Sequence, residues 1–200
     1  MPSCMIHLLT AQLLAPGRDA LYYIGAVAPD ALDDWRAKDR THLRDCPDRA
    51  AALARLAAQT PPGEGFHDGV LLHLYADWLW DAAQLRRWLD ASGGRLGESG
   101  WVPAYRREIS LASGWIYRHC DWARPLWRDM LAVPPEQYGA LPAVSPGDIR
   151  NYLTRNYAWH EGNPGPPSAF YPPEEVADFA RSAAAAYARW RKGMENLKDQ

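Results

Sequence analysis

The first eighty residues of the chain contain histidines and aspartates whose types and spacing suit metal chemistry. His73 and Asp77 form an H-x-x-x-D pair, and this spacing in a helix puts both side chains on one face, one turn apart. A neutral imidazole and a carboxylate suit zinc and similar divalent ions. The surrounding segment is apolar, and an aspartate is costly to bury there unless it is paired or bound to a metal. The pair therefore predicts the metal site of a metal-dependent hydrolase.

Three earlier residues are further candidate metal ligands: His7, Asp30 and His42. His7 lies in an otherwise apolar helix, where a core histidine is the alternative. Asp30 follows a proline in a turn, where it could equally cap the next helix. His42 lies in a charged stretch, where an exposed surface histidine is the alternative. For His73 and Asp77 the alternative is a mutual hydrogen bond or a solvent-facing stripe.

Length and composition indicate one globular domain. Two hundred residues, 48% of them apolar, fit a single domain that spans residues 1–200 and buries its own core. The formal net charge is −2 and no run of lysine and arginine occurs, so no nucleic-acid partner is indicated. The three cysteines are too widely spaced to indicate a disulfide framework. Most of the ten tryptophans are expected in the core, with some lining a cleft.

The sequence shows no segment typical of secretion or membrane insertion. It lacks a basic stretch followed by an apolar stretch and a small-residue cleavage site. No segment approaches the ~20 apolar residues that a membrane span requires. From these patterns we expect a soluble, cytoplasmic protein.

The pattern of apolar residues, caps and breakers predicts an all-α protein without an internal domain boundary. No stretch alternates between apolar and polar residues as a strand would. The predicted helices cover residues 4–15, 19–25, 48–59, 66–91, 105–131, 145–162 and 174–197. Pro125 is a candidate kink in the fifth of them, and residues 33–45 are predicted to be irregular. Gly69 lies one turn before His73, where a helical glycine indicates close packing.

Taken in order, four short segments resemble the zinc-dependent phospholipase C family, and more closely its small bacterial intracellular relatives. The segments are Met1-Pro2-Ser3 followed by His7, Gly25-Ala26-Val27-Ala28-Pro29-Asp30, Thr41-His42-Leu43 and Gly69-Val70-Leu71-Leu72-His73-Leu74-Tyr75-Ala76-Asp77. In the third of these the family typically has Ser-His-Phe. The resemblance covers roughly the first ninety residues. It implies an all-α, single-domain, multi-helix bundle of the phospholipase C / P1 nuclease type.

The resemblance also implies a ligand set and an activity. By position, Asp30, His42, His73 and Asp77 would hold one metal, and Asp77 would bridge to a second ion that has His7 as a ligand. One or two zinc ions are expected, with other divalent metals as alternatives. Such enzymes hydrolyse phosphoesters with metal-activated water, so a small-molecule or lipid phosphoester is the expected substrate. Asp77 would then be the central catalytic residue.

The chain departs from the family pattern downstream of Asp77. It has no H-x-x-x-E set, and Ala83 stands where a further histidine would fall, so a third metal site is expected to be absent. The alternative function is therefore a metal-stapled or degenerate helical binding protein without catalysis. The His67-Asp68 dyad could instead indicate an HD-type phosphohydrolase, but on a helix His67 points away from the His73 face. The sequence selects neither a substrate nor an oligomeric state.

Overall fold

A computed structural model defines residues 2–60, 63–163 and 165–196 of the protein. The predicted all-α fold is confirmed: no strand occurs in these ranges, only an isolated bridge between Leu141 and Val144. The α-helices are α1 (Cys4–Leu14), α2 (Ala20–Gly25), α3 (Trp35–Thr41), α4 (Arg49–Gln59), α5 (Gly65–Trp80), α6 (Arg86–Ser92), α7 (Val102–His119), α8 (Ala123–Ala132), α9 (Pro146–Gly162) and α10 (Pro173–Asn196).

Local capping explains where several helices begin. Asp19, Asp34 and Asp48 accept hydrogen bonds from the first backbone N–H groups of α2, α3 and α4. Ser145 and Asp148 form a reciprocal capping box at the start of α9. Ser3 precedes α1, but its hydroxyl makes no capping hydrogen bond.

Two predicted stretches differ from the structure. Residues 33–45, predicted to be irregular, contain α3, which starts at an aspartate cap rather than at an apolar repeat. The single helix predicted over residues 105–131 is broken at Cys120, whose extended backbone ends α7. Pro125 does not kink a continuous helix. It lies in the first turn of α8, where its missing N–H costs no internal hydrogen bond.

The long helix predicted over residues 66–91 is continuous but changes its winding. A π-helical turn, Asp81–Leu85, joins α5 to α6. Such a turn adds a residue to the helical repeat and redirects the side chains that follow; π turns are frequent at functional sites. Asp81 is the first residue of this turn and pairs with arginines described below.

A close crossing of α2 and α5 fixes the backbone around His73. A Cβ atom on Gly69 would lie 2.0 Å from the carbonyl oxygen of Tyr22, and one on Gly25 would lie 1.9 Å from that of Phe66. Only glycine therefore permits this approach, as the position of Gly69 one turn before His73 predicts. The crossing brings the carbonyl of Ala26, just beyond α2, to the His73 ring.

The core lies between α1, α5, α7 and α10, and large aromatic side chains fill much of it. Trp80 and Trp127 are fully buried and Trp88 is buried, while Trp101 and Trp159 line a cleft. Tryptophans thus lie both in the core and in a cleft, as expected from the sequence. None of the helices in the described ranges has the length and apolar character needed to cross a membrane.

We predict that Gly69→Ala strongly destabilises the protein. The added methyl group would collide with the backbone of α2 rather than with a movable side chain, so the free energy of unfolding should fall by about 3 kcal/mol or more. Gly193→Ala is the matched control because nothing lies within 4 Å of its Cβ position in α10. The control should change stability by less than about 1 kcal/mol. Urea denaturation of both variants measures the difference, and equal effects would contradict the close crossing.

Candidate metal centre

All five candidate ligands predicted from the sequence lie together in the interior. His7 comes from α1, Asp30 from the 3-10 turn Ala28–Ala31, His42 from the end of α3, and His73 and Asp77 from α5. None of these residues is more than 5% exposed. Ligand atoms of His7, Asp30 and His73 lie within 4.8 Å of one another, as do those of His42, His73 and Asp77. These buried groups could hold a metal ion.

Backbone hydrogen bonds fix the protonated nitrogen of two of the histidines. His42 Nδ1 lies 2.7 Å from the carbonyl oxygen of Lys38, and His73 Nδ1 lies 2.8 Å from that of Ala26. A carbonyl oxygen can only accept, so each Nδ1 carries a hydrogen and each neutral ring has a bare Nε2. Metal-binding histidines typically make this hydrogen bond through their other nitrogen.

The two bare Nε2 atoms point at each other. They are 3.0 Å apart, so when both rings are neutral two lone pairs face one another across a hydrogen-bond distance. Asp77 Oδ2 lies 3.5 Å from His42 Nε2, and Asp30 Oδ1 lies 3.6 Å from it. A positive charge among them, such as that of a divalent cation, would relieve this crowding of electron pairs.

Four further buried atoms of the cluster make no hydrogen bond in the described part of the chain, although one of them, Asp30 Oδ1, lies 3.5 Å from Lys38 Nζ: both ring nitrogens of His7, Asp30 Oδ1 and Asp77 Oδ1. The His7 ring stacks on that of His73 with 3.8 Å between centroids, and its Nε2 lies 3.5 Å from Asp77 Oδ1. Buried polar atoms without partners cost roughly 1–3 kcal/mol each. His7 Nε2 and Asp77 Oδ1 lie close enough together to share a bound cation.

The electrostatics of the cluster match the protonation states that metal binding needs. Burial, together with the nearby His7, lowers the pKa of His73 well below its ordinary value, so this ring is neutral at neutral pH. Burial opposes the charge of Asp77, but contacts with His7, His42 and Arg44 outweigh it and hold the pKa of that carboxyl well below its usual range. Neutral imidazole and ionised carboxylate are the forms that coordinate metal ions.

Basic residues that the sequence analysis missed hold the carboxylates from outside. Lys38 Nζ lies 3.5 Å from Asp30 Oδ1. Arg44 donates from Nη2 to Asp77 Oδ2 at 3.0 Å and from Nε to Asp81 Oδ2 at 2.9 Å. Such partners orient metal-binding carboxylates. In the sequence these residues belong to the charged stretch around His42, for which an exposed surface histidine was the alternative. The His42 side chain is fully buried.

A cleft of about 520 Å³ adjoins the cluster, within the size range of small-molecule sites. Asp30, Lys38, Asp39 and Arg44 line it on the side of the cluster. A largely apolar wall includes Leu85, Leu96, Trp101, Val102, Tyr105 and Ile109. The cleft therefore combines a charged part beside the buried cluster with apolar surface.

Ser113 and His160 form a second polar pair in the same cleft. His160 Nδ1 donates to the carbonyl oxygen of Asn156 at 2.6 Å, so its Nε2 accepts from the Ser113 hydroxyl at 2.9 Å. His160 is a buried residue of the cleft lining. Its partner lies 47 residues away in the chain, so no local pattern could have revealed the pair.

His67 and His119 lie outside the cluster. His67 is half-buried and bonds to the carbonyl oxygen of Ala140, while Asp68 pairs with Arg18. The His67-Asp68 dyad thus has its own partners away from the His73 side of α5. His119 is exposed and bonds to the carbonyl oxygen of Trp115, one turn earlier in α7.

We predict that chelation lowers the melting temperature of the purified protein. An ion that binds only the folded state stabilises it by about 2.7 kcal/mol at a hundredfold excess over its Kd. His73→Ala should abolish the response to chelator, and the half-buried His67→Ala should retain it. Calorimetry with and without EDTA makes the measurement. Superimposable curves for the wild type would contradict a bound structural cation.

We also predict a pH-dependent stability that depends on His160. Burial lowers the pKa of His160 from 6.5 to about 4, so between these values the unfolded chain binds a proton that the folded chain does not. The stabilisation is complete above pH 6.5 and is lost as the pH falls through this window, by roughly 3 kcal/mol at most. His160→Gln should lose less stability than the wild type between pH 7 and 4.5 in urea denaturation. Parallel losses would contradict the buried neutral imidazole.

Comparisons with protein-family models, with curated proteins and with solved structures found no match for this chain. The resemblance of its ordered segments to the zinc-dependent phospholipase C family therefore stays a prediction. The functional argument depends on the geometry of the buried cluster and of the cleft beside it.

Proposed function

We propose that this protein is a metal-dependent hydrolase of phosphoester bonds, similar to phospholipase C, that uses one or two zinc ions. One observation carries the proposal: the bare Nε2 atoms of His42 and His73 face each other at 3.0 Å between two ionised carboxylates. The second support is the adjoining cleft, which Asp30 of the cluster lines together with basic residues.

The five cluster residues fit the donor set of a zinc site. We assign Asp30, His42, His73 and Asp77 to one ion, and His7 with Asp77 to a second. Imidazole nitrogens and carboxylate oxygens are ordinary zinc ligands. A divalent ion held there would act as a Lewis acid toward a phosphoryl oxygen and lower the pKa of water.

The chain's own side chains have separate tasks in this proposal. Asp77 is the central catalytic residue, and its charge is kept by Arg44 at 3.0 Å. Lys38 and Arg44 give the cleft positive charge that suits a phosphate. Asp39 lines the cleft outside the cluster, with 38% of its side chain exposed, and is our candidate for accepting a proton from the attacking water. The apolar wall suits the organic part of a small-molecule or lipid phosphoester.

A metal-stapled binding protein without catalysis is the second candidate function. The near-complete burial of all five donors favours it, since a metal with its coordination positions filled by protein has a structural role. In that case the ion ties α1, the 3-10 turn, the end of α3 and α5 together. A protein that carries its full complement of metal but hydrolyses no phosphomonoester or phosphodiester in a broad panel would select this function.

We predict that Asp77→Asn lowers hydrolysis by about 100-fold or more. The substitution keeps the size of the side chain and removes the charge that the proposal requires, so metal content should fall as well. His7→Ala should lose only the second metal and leave a partly loaded protein. Initial rates on a generic phosphodiester and a phosphomonoester, with elemental analysis of each sample, make the measurement.

The exposed His119→Ala is the control for this series and should match the wild type in both rate and metal content. Hydrolysis that is unchanged in Asp77→Asn would rule out the proposed role of Asp77.

A further inference from the structure

We propose that Arg44 and Lys38 form an anion subsite beside the cluster, which binds the phosphoryl oxygens of a phosphate ester; the inference rests on the proposed function. Both basic residues line the cleft. Each also pairs with one buried carboxylate, Lys38 with Asp30 at 3.5 Å and Arg44 with Asp77 at 3.0 Å. A basic side chain that contacts both a candidate metal ligand and the cleft can also bind an anion beside the metal site.

The guanidinium of Arg44 is held in one orientation. Its Nε donates to Asp81 Oδ2 at 2.9 Å and its Nη2 to Asp77 Oδ2 at 3.0 Å. Because the guanidinium is planar, these bonds also fix the direction of Nη1. Among the described residues, Nη1 lies 3.8 Å from Asp39 Oδ1, beyond hydrogen-bond reach. Its N–H groups can therefore donate to the oxygens of a phosphate, which arginine binds in a defined geometry.

Arg44 keeps its charge in this position. A guanidinium stays protonated at accessible pH, and Asp77 and Asp81 pair with it. The side chain is 22% exposed, so it is partly withdrawn from water and still reaches the cleft. Hydrogen bonds from such a charged donor are stronger than they would be in open solvent.

Arg49 offers a matched comparison within the same network. Its Nη1 donates to Asp81 Oδ2 at 2.9 Å, and its Nη2 lies 3.9 Å from Asp77 Oδ2. Arg44 lines the cleft, and Arg49 does not appear among the cleft residues. The two arginines thus share their carboxylate partners and differ in access to a bound anion. Loss of either weakens the network, but only loss of Arg44 should weaken anion binding.

The test is calorimetric titration of the metal-loaded protein with inorganic phosphate. Arg44→Gln should weaken phosphate binding by about 10- to 100-fold, the range for loss of a charge-assisted hydrogen bond. Lys38→Met should weaken phosphate binding less, because a lysine ammonium is a compact charge that lacks the paired donor geometry of a guanidinium. Arg49→Gln should bind phosphate as the wild type does. All samples are loaded with metal before titration, and elemental analysis verifies that the compared samples hold the same amount. Unchanged affinity in Arg44→Gln, or equal losses in the two glutamine variants, would overturn the proposal.

A second measurement on the wild type covers the case in which Arg44→Gln does not fold. Phenylglyoxal modifies accessible arginines, and peptide mass spectrometry locates the modified positions. Inorganic phosphate should slow modification of Arg44 and leave the exposed Arg95 unaffected. Equal rates at Arg44 with and without phosphate would overturn the subsite.

These binding measurements separate the subsite from the hydrolase proposal. Weakened phosphate binding in Arg44→Gln together with an inactive wild type would retain the subsite and remove the hydrolase. An active wild type whose phosphate affinity does not change in Arg44→Gln would retain the hydrolase and remove the subsite.

Discussion

The structure depends on the opposition of two imidazole nitrogens in its interior. Each ring uses Nδ1 to donate to a backbone carbonyl, and each therefore turns an unprotonated Nε2 toward the other at 3.0 Å. Without a positive charge this arrangement is repulsive, and the carboxylates of Asp30 and Asp77 add negative charge beside it. Burial lowers the pKa of His73, so this ring does not supply that charge at neutral pH. A metal cation satisfies the lone pairs and carboxylates together.

The surrounding helices maintain this arrangement. Gly25 and Gly69 let α2 and α5 approach so closely that the Ala26 carbonyl reaches the His73 ring. The end of α3 orients His42 in the same way, through the carbonyl of Lys38 four residues earlier. One turn after Asp77, the π turn that follows α5 begins with Asp81, which anchors Arg44. The geometry of the cluster thus follows from backbone packing as much as from the ligand side chains.

Some of these features could be predicted from the sequence and others could not. The all-α fold follows from the absence of alternating segments, and the close helix crossing follows from Gly69 in an otherwise apolar helix. The spacing of His73 and Asp77 predicted that they share a face of α5. By contrast, α3 has no apolar repeat to mark it, since its start depends on the Asp34 cap. The roles of Lys38 and Arg44 depend on partners in other elements, and a charged stretch carries no local sign of them.

The central claim is that a cation lies between His42 and His73, and anomalous X-ray diffraction at the zinc absorption edge tests it most directly. Crystals of protein purified without chelator and without added metal should show a peak about 2.0–2.1 Å from both Nε2 atoms, the usual zinc–imidazole distance. Data collected just below the edge should lose that peak if the ion is zinc. The absence of an anomalous peak at any transition-metal edge, with the two rings still facing each other, would contradict the account.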